Sequence, residues 1–185
     1  TKTPITYTIT INLDGGSLNA WDSVPSTYTV ESDDINILFV PTKEGYVFMD
    51  WVGTGISGSS ITISIPKGSI GNRTYAVRWE LANYTITYNL DGGTVSGNPT
   101  TYTSNDTITL VNPTKESYTF KGWTGTGLTE ATITVTIPVG STGDREYTAN
   151  WEKEALSYNL IVNNGIASSE GPVSSGETIT ITAAP

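Results

Sequence analysis

The feature that most constrains the fold of this chain is an internal repeat. Tyr7–Gly16 reads Tyr-Thr-Ile-Thr-Ile-Asn-Leu-Asp-Gly-Gly and returns almost unchanged as Tyr84–Gly93, 77 positions later. From the next block onward the offset is 72, as between Pro41–Trp51 and Pro113–Trp123. The offsets differ because two Gly-, Ser- and Asn-rich loops are longer in the first copy, and loops on a shared scaffold tolerate such insertions. A 185-residue chain of this kind is expected to fold as small tandem units.

The repeats predict how the chain divides into domains. We expect a first β domain over residues 1–81, a second over 82–154, and the beginning of a third, divergent repeat over 155–185. Within the last segment, Tyr158–Gly165 has the pattern of another first strand, and Gly176–Pro185 echoes a later strand of the second repeat. The chain is therefore expected to belong to a longer array in which the third repeat continues.

Each repeat carries the signal of half-buried β-strands. Along Tyr7–Leu13, Tyr, Ile, Ile and Leu alternate with Thr, Thr and Asn, and the same alternation recurs over Ile61–Ile65 and Tyr75–Trp79. Alternation with a period of two places one face of a strand on a core and the other in water. Thr also favours strands, because its branched side chain packs well on a pleated surface. A short turn of helix would fit only Thr29–Asn36 or Leu128–Thr132, so the pattern predicts a mainly β chain.

Composition excludes several functions. The chain has 9 basic and 18 acidic residues, a net charge of −9 and a pI near 4.3. It lacks the basic surface needed by proteins that bind nucleic acid or anionic lipid. The longest aliphatic or aromatic run, Ile37–Val40, is too short to insert across a bilayer. With no Cys and no His, the chain lacks thiolate and imidazole chemistry, and no cofactor is expected.

The repeated motifs are similar to those of a known family. Tyr-x-Ile-x-Tyr-x-Leu-Asp-Gly-Gly is followed by Pro-Thr-Lys-x-x-Tyr-x-Phe-x-Gly-Trp, then Ile-Pro-x-Gly-Ser-x-Gly-Asp, and finally Tyr-x-Ala-x-Trp-Glu. This series resembles the internalin B-repeat, or Listeria–Bacteroides repeat, over Ile5–Glu80 and Asn83–Glu152. The second copy matches nearly every position, whereas the first departs from the pattern at Met49–Asp50 and at Asn72.

The resemblance implies tandem β-grasp-like domains with antiparallel or mixed sheets in an elongated arrangement. The first and last strands of such a domain lie side by side and run parallel. The resemblance also implies an extracellular or bacterial cell-surface location and no enzymatic activity. We therefore expect a monomeric part of a longer multidomain protein, acting as a stalk that presents recognition domains. The alternative is an adhesion module that binds a host surface protein or a glycan.

Two loops that are longer in the first copy hold the candidate binding residues. Trp21 has no counterpart in the second copy. Beside Asp22 it could stack on a sugar ring or anchor a protein partner, or it could lie over the edge of its own repeat as a cover. Glu31, Asp33 and Asp34 form the densest acidic cluster and could begin a calcium site. Solvated loop carboxylates are far commoner, however, so no metal site is predicted.

The sequence predicts no catalytic residue. A glycosidase needs a pair of carboxyl groups, one with a raised pKa, and no Asp or Glu is expected at an apolar strand position where its pKa would be raised. Asp14 and Asp91, which precede Gly-Gly in the two copies, are expected to cap turns with their side chains. Lys43 and Lys115 are expected in polar turns, which does not favour an internal isopeptide bond.

Overall fold

The computed structural model of the protein describes residues 2–155, 157–163, 165–168 and 171–184. Regular secondary structure within these residues consists entirely of β-strands, which confirms the predicted mainly β class. The two segments considered for a helical turn, Thr29–Asn36 and Leu128–Thr132, hold turns, bends and strand residues instead. The described residues therefore include no helix that could cross a membrane. Asn164 and Pro185, which belong to the predicted third repeat, lie outside the described residues.

The strands recur in the same order in the two repeats, and four more follow in the last segment. The described residues form β1 (Tyr7–Asn12), β2 (Thr27–Tyr28), β3 (Ile35–Ile37), β4 (Tyr46–Gly53), β5 (Ile63–Ile65), β6 (Arg73–Leu81), β7 (Tyr84–Asn89), β8 (Thr101–Tyr102), β9 (Ile108–Thr109), β10 (Tyr118–Gly125), β11 (Thr136–Ile137), β12 (Arg145–Lys153), β13 (Ser157–Asn159), β14 (Gly165–Ala167), β15 (Pro172–Ser174) and β16 (Ile181–Ala183).

The first repeat contains a four-stranded sheet with the order β2-β1-β6-β4 and a two-stranded sheet of β3 and β5. Strand β1 runs parallel to β6, with Ile9 opposite Arg73 and Asn12 opposite Ala76, whereas β2 and β4 are antiparallel to their neighbours. The predicted parallel contact between the first and last strands is thus present in this repeat. The β-grasp topology itself is not confirmed, because the described residues contain no helix.

Two aromatic residues and three isoleucines form the fully buried centre of the first core. Trp51 and Tyr75 come from the four-stranded sheet, and Ile37, Ile63 and Ile65 come from β3 and β5. Because β5 alternates buried Ile63, exposed Ser64 and buried Ile65, the small sheet can turn one face toward the core. Burial of one such side chain contributes about 2–3 kcal/mol, so a repeat of this size depends on each of them.

The second repeat reproduces this arrangement. Its sheets have the orders β10-β12-β7-β8 and β11-β9. Strands β10 and β12 are antiparallel, with a bulge between Phe120 and Gly122 that corresponds to the bulge between Phe48 and Asp50. In the last segment β13 pairs with β15 and β14 pairs with β16, both antiparallel. The predicted tandem organisation of small sheets is therefore confirmed. The buried hydrophobic residues of the second repeat are Ile86, Tyr102, Leu110, Trp123, Val135, Ile137, Tyr147 and Ala149.

By proximity of Cα atoms the chain divides into two compact units. The first unit comprises Thr1–Ile86, Pro99–Ile108 and Ile137–Asp144, and the second comprises Thr87–Asn98, Thr109–Thr136 and Arg145–Pro185. The first unit thus contains all of the first repeat together with three segments of the second, residues 82–86, 99–108 and 137–144. The domain boundaries read from the repeats remain a prediction.

Candidate functional site

The loop that carries Trp21 presents the indole to solvent. Trp21 is 94% exposed, so it covers no part of its own repeat. The Asp22 amide donates to the Asn19 carbonyl oxygen at 3.0 Å, and Asp22 Oδ2 accepts the Asn19 amide at 3.1 Å. These two bonds close a turn that includes Trp21. An exposed indole on a closed turn can stack on a sugar or enter a pocket of a partner. Binding through Trp21 and Asp22 stays a prediction.

The acidic cluster in the second long loop is organised around a lysine. Asp33 Oδ1 lies 3.0 Å from Lys67 Nζ, and Asp34 Oδ1 accepts the Lys67 amide at 2.7 Å. The Glu31 amide donates to Thr29 Oγ1 at 3.2 Å. Throughout the part of the chain that the structure describes, no three Asp, Glu, His or Cys side chains come together as a metal site. Asp33 thus pairs with the Lys67 ammonium group and Asp34 with the Lys67 backbone amide, so both carboxylates contact the loop that holds Lys67.

One lysine in each repeat clasps the Asp-Gly-Gly turn. Lys43 Nζ donates to the Asp14 carbonyl oxygen at 2.7 Å and lies 3.3 Å from Asp14 Oδ2. It also lies 4.3 Å from the centroid of the Tyr46 ring, which adds a cation–π contact. The Lys43 side chain is thus mostly covered, while the Asp14 side chain stays largely in water. The second repeat has the same contacts. Lys115 Nζ donates to the Asp91 carbonyl oxygen at 2.7 Å, lies 3.5 Å from Asp91 Oδ2 and lies 4.3 Å from the centroid of the Tyr118 ring.

The same turns correct one expectation about capping. Asp14 and Asp91 adopt φ values of 47° and 46°, the left-handed region that Asp tolerates better than most residues. The Asp14 amide donates to Asn12 Oδ1 at 2.9 Å, and the Asp91 amide donates to Asn89 Oδ1 at 3.2 Å. The side chain that caps each turn is therefore the asparagine two residues earlier. The Asp side chains face the lysine instead.

A carboxylate does occupy a buried strand position, but its pKa is lowered rather than raised. Asp50 in β4 is 8% exposed and accepts two hydrogen bonds from Arg78, at 2.7 Å from Nε and 2.6 Å from the terminal nitrogen. The hydrogen bond from Arg78 holds the pKa of Asp50 below its ordinary value. A general acid needs a raised pKa, so this ionised pair is a structural contact. The second repeat has Gly122 and Asn150 at the two positions.

The other shifted pKa values also arise from structural contacts. Burial, together with the nearby Tyr147, raises the pKa of Tyr88 to about 12. Burial likewise raises the pKa of Tyr75. Backbone hydrogen bonds from Thr103 and Thr85 lower the pKa of two carboxyl groups, those of Asp106 and Asp144 respectively. The buried phenols stay protonated and the turn carboxylates stay ionised near neutral pH, which suits a static framework.

These contacts define the class of protein: a tandem array of small all-β repeats whose polar side chains fasten turns and strands. The sequence model of the Listeria-Bacteroides repeat domain (List_Bact_rpt) matches residues 7–76 and 84–149. The chain belongs to this family, which confirms the resemblance of its motifs. Both matched segments lie within the two repeats that share the sheet order described above.

Three similar proteins show in which kinds of protein such repeats occur. A protein of Evansella cellulosilytica named as a Gly-rich membrane protein is 34% identical over 132 residues, 70% of this chain and 15% of that protein. Internalin H of Listeria monocytogenes is 34% identical over 83 residues, 45% of this chain and 15% of the internalin. A second protein of Evansella cellulosilytica, named as a membrane protein, is 29% identical over 184 residues, 97% of this chain and 26% of that protein.

The chain thus spans about a quarter or less of the length of these relatives. No solved structure matches the chain. The comparisons therefore find the repeat as a small part of much longer proteins, which are named as an internalin and as membrane proteins.

Proposed function

We propose that the chain is a non-catalytic repeat module of a bacterial cell-surface or secreted protein, acting as a stalk that presents recognition domains. The observation that carries the proposal is that the two repeats reproduce the same fastening contacts at nearly the same distances. Trp79 Nε1 donates to the Leu13 carbonyl oxygen at 3.0 Å, and Trp151 Nε1 donates to that of Leu90 at 3.0 Å. A module that adds length needs a framework that can be copied unchanged, as in other repeat proteins.

The named relatives support an extracellular, cell-surface setting. One is an internalin and two are membrane proteins, and each is several times longer than the part that matches this chain. A repeat module that occupies a minor part of such proteins leaves room for separate recognition domains. A net charge of −9 and a Thr- and Ser-rich surface suit a segment held in solvent.

A display experiment tests the stalk function. A small antibody fragment is joined ahead of the chain, and the chain is anchored to the wall of a Gram-positive cell. Capture of antigen-coated beads is then compared with that of a version lacking residues 1–154. A third version replaces these residues with a Gly/Ser linker of equal residue number, which behaves as a collapsed flexible coil. We expect bead capture to fall in both altered versions, and equal capture by all three would contradict the stalk function.

A second function is favoured by one observation, the exposure of Trp21. We propose as the alternative that this loop lets the module bind a host surface protein or glycan. A glycan array and a host-cell binding screen would compare the wild type with Trp21→Ala and with Val139→Ala, which removes an exposed aliphatic side chain elsewhere. Binding that is lost only in Trp21→Ala would support adhesion. Absence of binding by the wild type, or equal binding by all three, would reject a role for this loop.

A further inference from the structure

The turn around Gly45 lies close to three residues that follow the first repeat in sequence. The Ala82 amide donates to the Gly45 carbonyl oxygen at 3.0 Å. Thr142 Oγ1 donates to Glu44 Oε1 at 3.4 Å. A Cβ atom built on Gly45 would lie 2.8 Å from Ser104 Oγ and 3.7 Å from Thr142 Cγ2. All five residues belong to the first compact unit, and Ala82, Ser104 and Thr142 are half-buried there.

A similar contact recurs beyond the second repeat. The Glu154 amide donates to the Ser117 carbonyl oxygen at 3.0 Å, as Ala82 does to Gly45. Lys153 and Glu154 line a cavity of about 330 Å³ together with Ser174 and Ser175. Because Gly176 begins the segment that echoes the one starting at residue 105, Ser175 holds the position of Ser104. The turn at Ser117 therefore repeats the backbone contact of the turn at Gly45, and the residues next to that contact adjoin the segment that holds Ser175.

Three positions of the first repeat correspond to the three contacting residues. Ile5 precedes Ala82 by 77 positions and Ile70 precedes Thr142 by 72, the two offsets of the repeat. Val30 follows Tyr28-Thr29 as Ser104 follows Tyr102-Thr103. The local backbone agrees: the Gly68 amide donates to the Val30 carbonyl oxygen at 3.1 Å, and the Gly140 amide donates to that of Ser104 at 2.7 Å.

These three positions carry exposed aliphatic side chains in the first repeat. Ile5 is 68% exposed, Val30 is 37% exposed and Ile70 is 68% exposed. Two long-range hydrogen bonds hold their segments together. Tyr28 Oη donates to the Gly71 carbonyl oxygen at 2.5 Å, and the Thr8 amide donates to Asn72 Oδ1 at 3.0 Å. Exposed apolar side chains on adjoining segments mark an interaction surface, and these three hold the positions equivalent to those at which the second repeat contacts the turn at Gly45.

We propose that Ile5, Val30 and Ile70 form the docking surface for a further repeat of this family that precedes the first one in the parent polypeptide. The occupant is the turn that corresponds to Glu44–Gly45, because that turn faces the equivalent positions of the second repeat. Aliphatic side chains replace Ala, Ser and Thr, so this joint buries more apolar surface than the joint at Gly45.

The test uses the absence of Cys from the chain, which makes a single introduced thiol a unique reporter. Ile70→Cys reports on the docking surface, and Ile61→Cys, at a residue that is also 68% exposed, serves as the matched control. Alkylation is measured in the 185-residue chain and in two extended polypeptides, in which residues 1–80 or 82–152 are joined directly ahead of residue 4. Two different added repeats are used so that poor folding of one copy does not decide the result.

We expect the extra repeat to slow alkylation of Ile70→Cys about tenfold while leaving Ile61→Cys unchanged. Adding Val30→Glu to the extended polypeptide should restore fast alkylation, because a charge cannot be buried there without a partner. Equal alkylation of Ile70→Cys in all three polypeptides would overturn the proposal. Protection of the 185-residue chain that increases with its concentration would also overturn it, because the occupant would then be a second copy.

Discussion

The two repeats differ, residue by residue, in how they satisfy one buried tryptophan. Trp123 Nε1 donates to Asn112 Oδ1 at 3.2 Å. Trp51 Nε1 is buried and has no hydrogen-bond partner, because Val40 stands where the second repeat has Asn112. A buried N–H group without a partner costs about 1–3 kcal/mol. The first repeat therefore bears a cost in stability that the second repeat avoids.

Exchanging these residues should move stability in opposite directions. Val40→Asn is expected to raise the free energy of unfolding of the first repeat by about 1 kcal/mol, since it supplies the missing acceptor. Asn112→Val should lower that of the second repeat by a similar amount. Urea unfolding followed by amide NMR signals of each repeat measures both effects. Lower or unchanged stability in Val40→Asn would show that the indole N–H does not need this acceptor.

A second residue-scale difference gives the second repeat a titrating hydrogen-bond acceptor where the first repeat has a neutral amide. Asp144 Oδ1 accepts the Thr85 amide at 2.8 Å, and Asn72 Oδ1 accepts the Thr8 amide at 3.0 Å. The hydrogen bond from the Thr85 amide lowers the pKa of Asp144 from its ordinary value of 3.8. A carboxyl group with a lowered pKa stabilises the fold above its ordinary pKa, and this contribution is lost as the pH falls through the lowered value.

Replacing one side chain by the other should transfer this contribution to the pH dependence of stability from one repeat to the other. Asp144→Asn is expected to make the stability of the second repeat less dependent on pH below about 4, because the amide accepts the same bond without titrating. Asn72→Asp should add the same dependence to the first repeat. Thermal unfolding between neutral pH and pH 3 measures the two slopes. An unchanged slope in both variants would mean that neither side chain determines acid stability.

At the scale of elements, the lysine clasp joins the turn after the first strand to the beginning of the fourth. Lys43→Met keeps the side-chain length but loses the hydrogen bond to the Asp14 carbonyl oxygen, so the first repeat should be destabilised by about 1–2 kcal/mol. Lys67→Met is the control, since Lys67 and Asp33 are both exposed and their ion pair contributes little. Equal denaturation midpoints for the two variants would show that the Lys43 clasp does not stabilise the first repeat.

Strands were predictable where alternation was strict, and less so where burial depends on distant partners. In β1 and β7, Thr alternates with Ile or Tyr, and that pattern places one face in water whatever the rest of the chain does. Asp50 gave no such signal, because it is buried by pairing with Arg78, 28 residues away, beside a bulge. The sequence likewise did not predict that Asn12 caps its turn. The Asp14 amide reaches Asn12 Oδ1 in a turn where Asp14 has a positive φ value, and local sequence does not reveal that conformation.

The candidate binding residues show the same limit. The unmatched Trp21 could be found by comparing the two copies, but its exposure depends on the Asn19–Asp22 turn. The link between Asp33 and Lys67 joins loops 34 residues apart, which no local pattern reveals. Candidate residues within one loop could therefore be predicted from the sequence, whereas contacts between two loops could be seen only in the structure.

For the whole molecule, the central claim is that the chain is an array of equivalent modules, each built on its own buried tryptophan. Trp51 and Trp123 are both fully buried, and replacing such a residue by Ala costs about 3–5 kcal/mol, a large part of the stability of a small domain. The most direct measurement is calorimetry of Trp51→Ala and Trp123→Ala, with NMR signals assigning each transition to a repeat. We expect Trp123→Ala to unfold the second repeat while the first stays folded, and Trp51→Ala to do the reverse. A single cooperative transition of the whole chain in both variants would contradict the account.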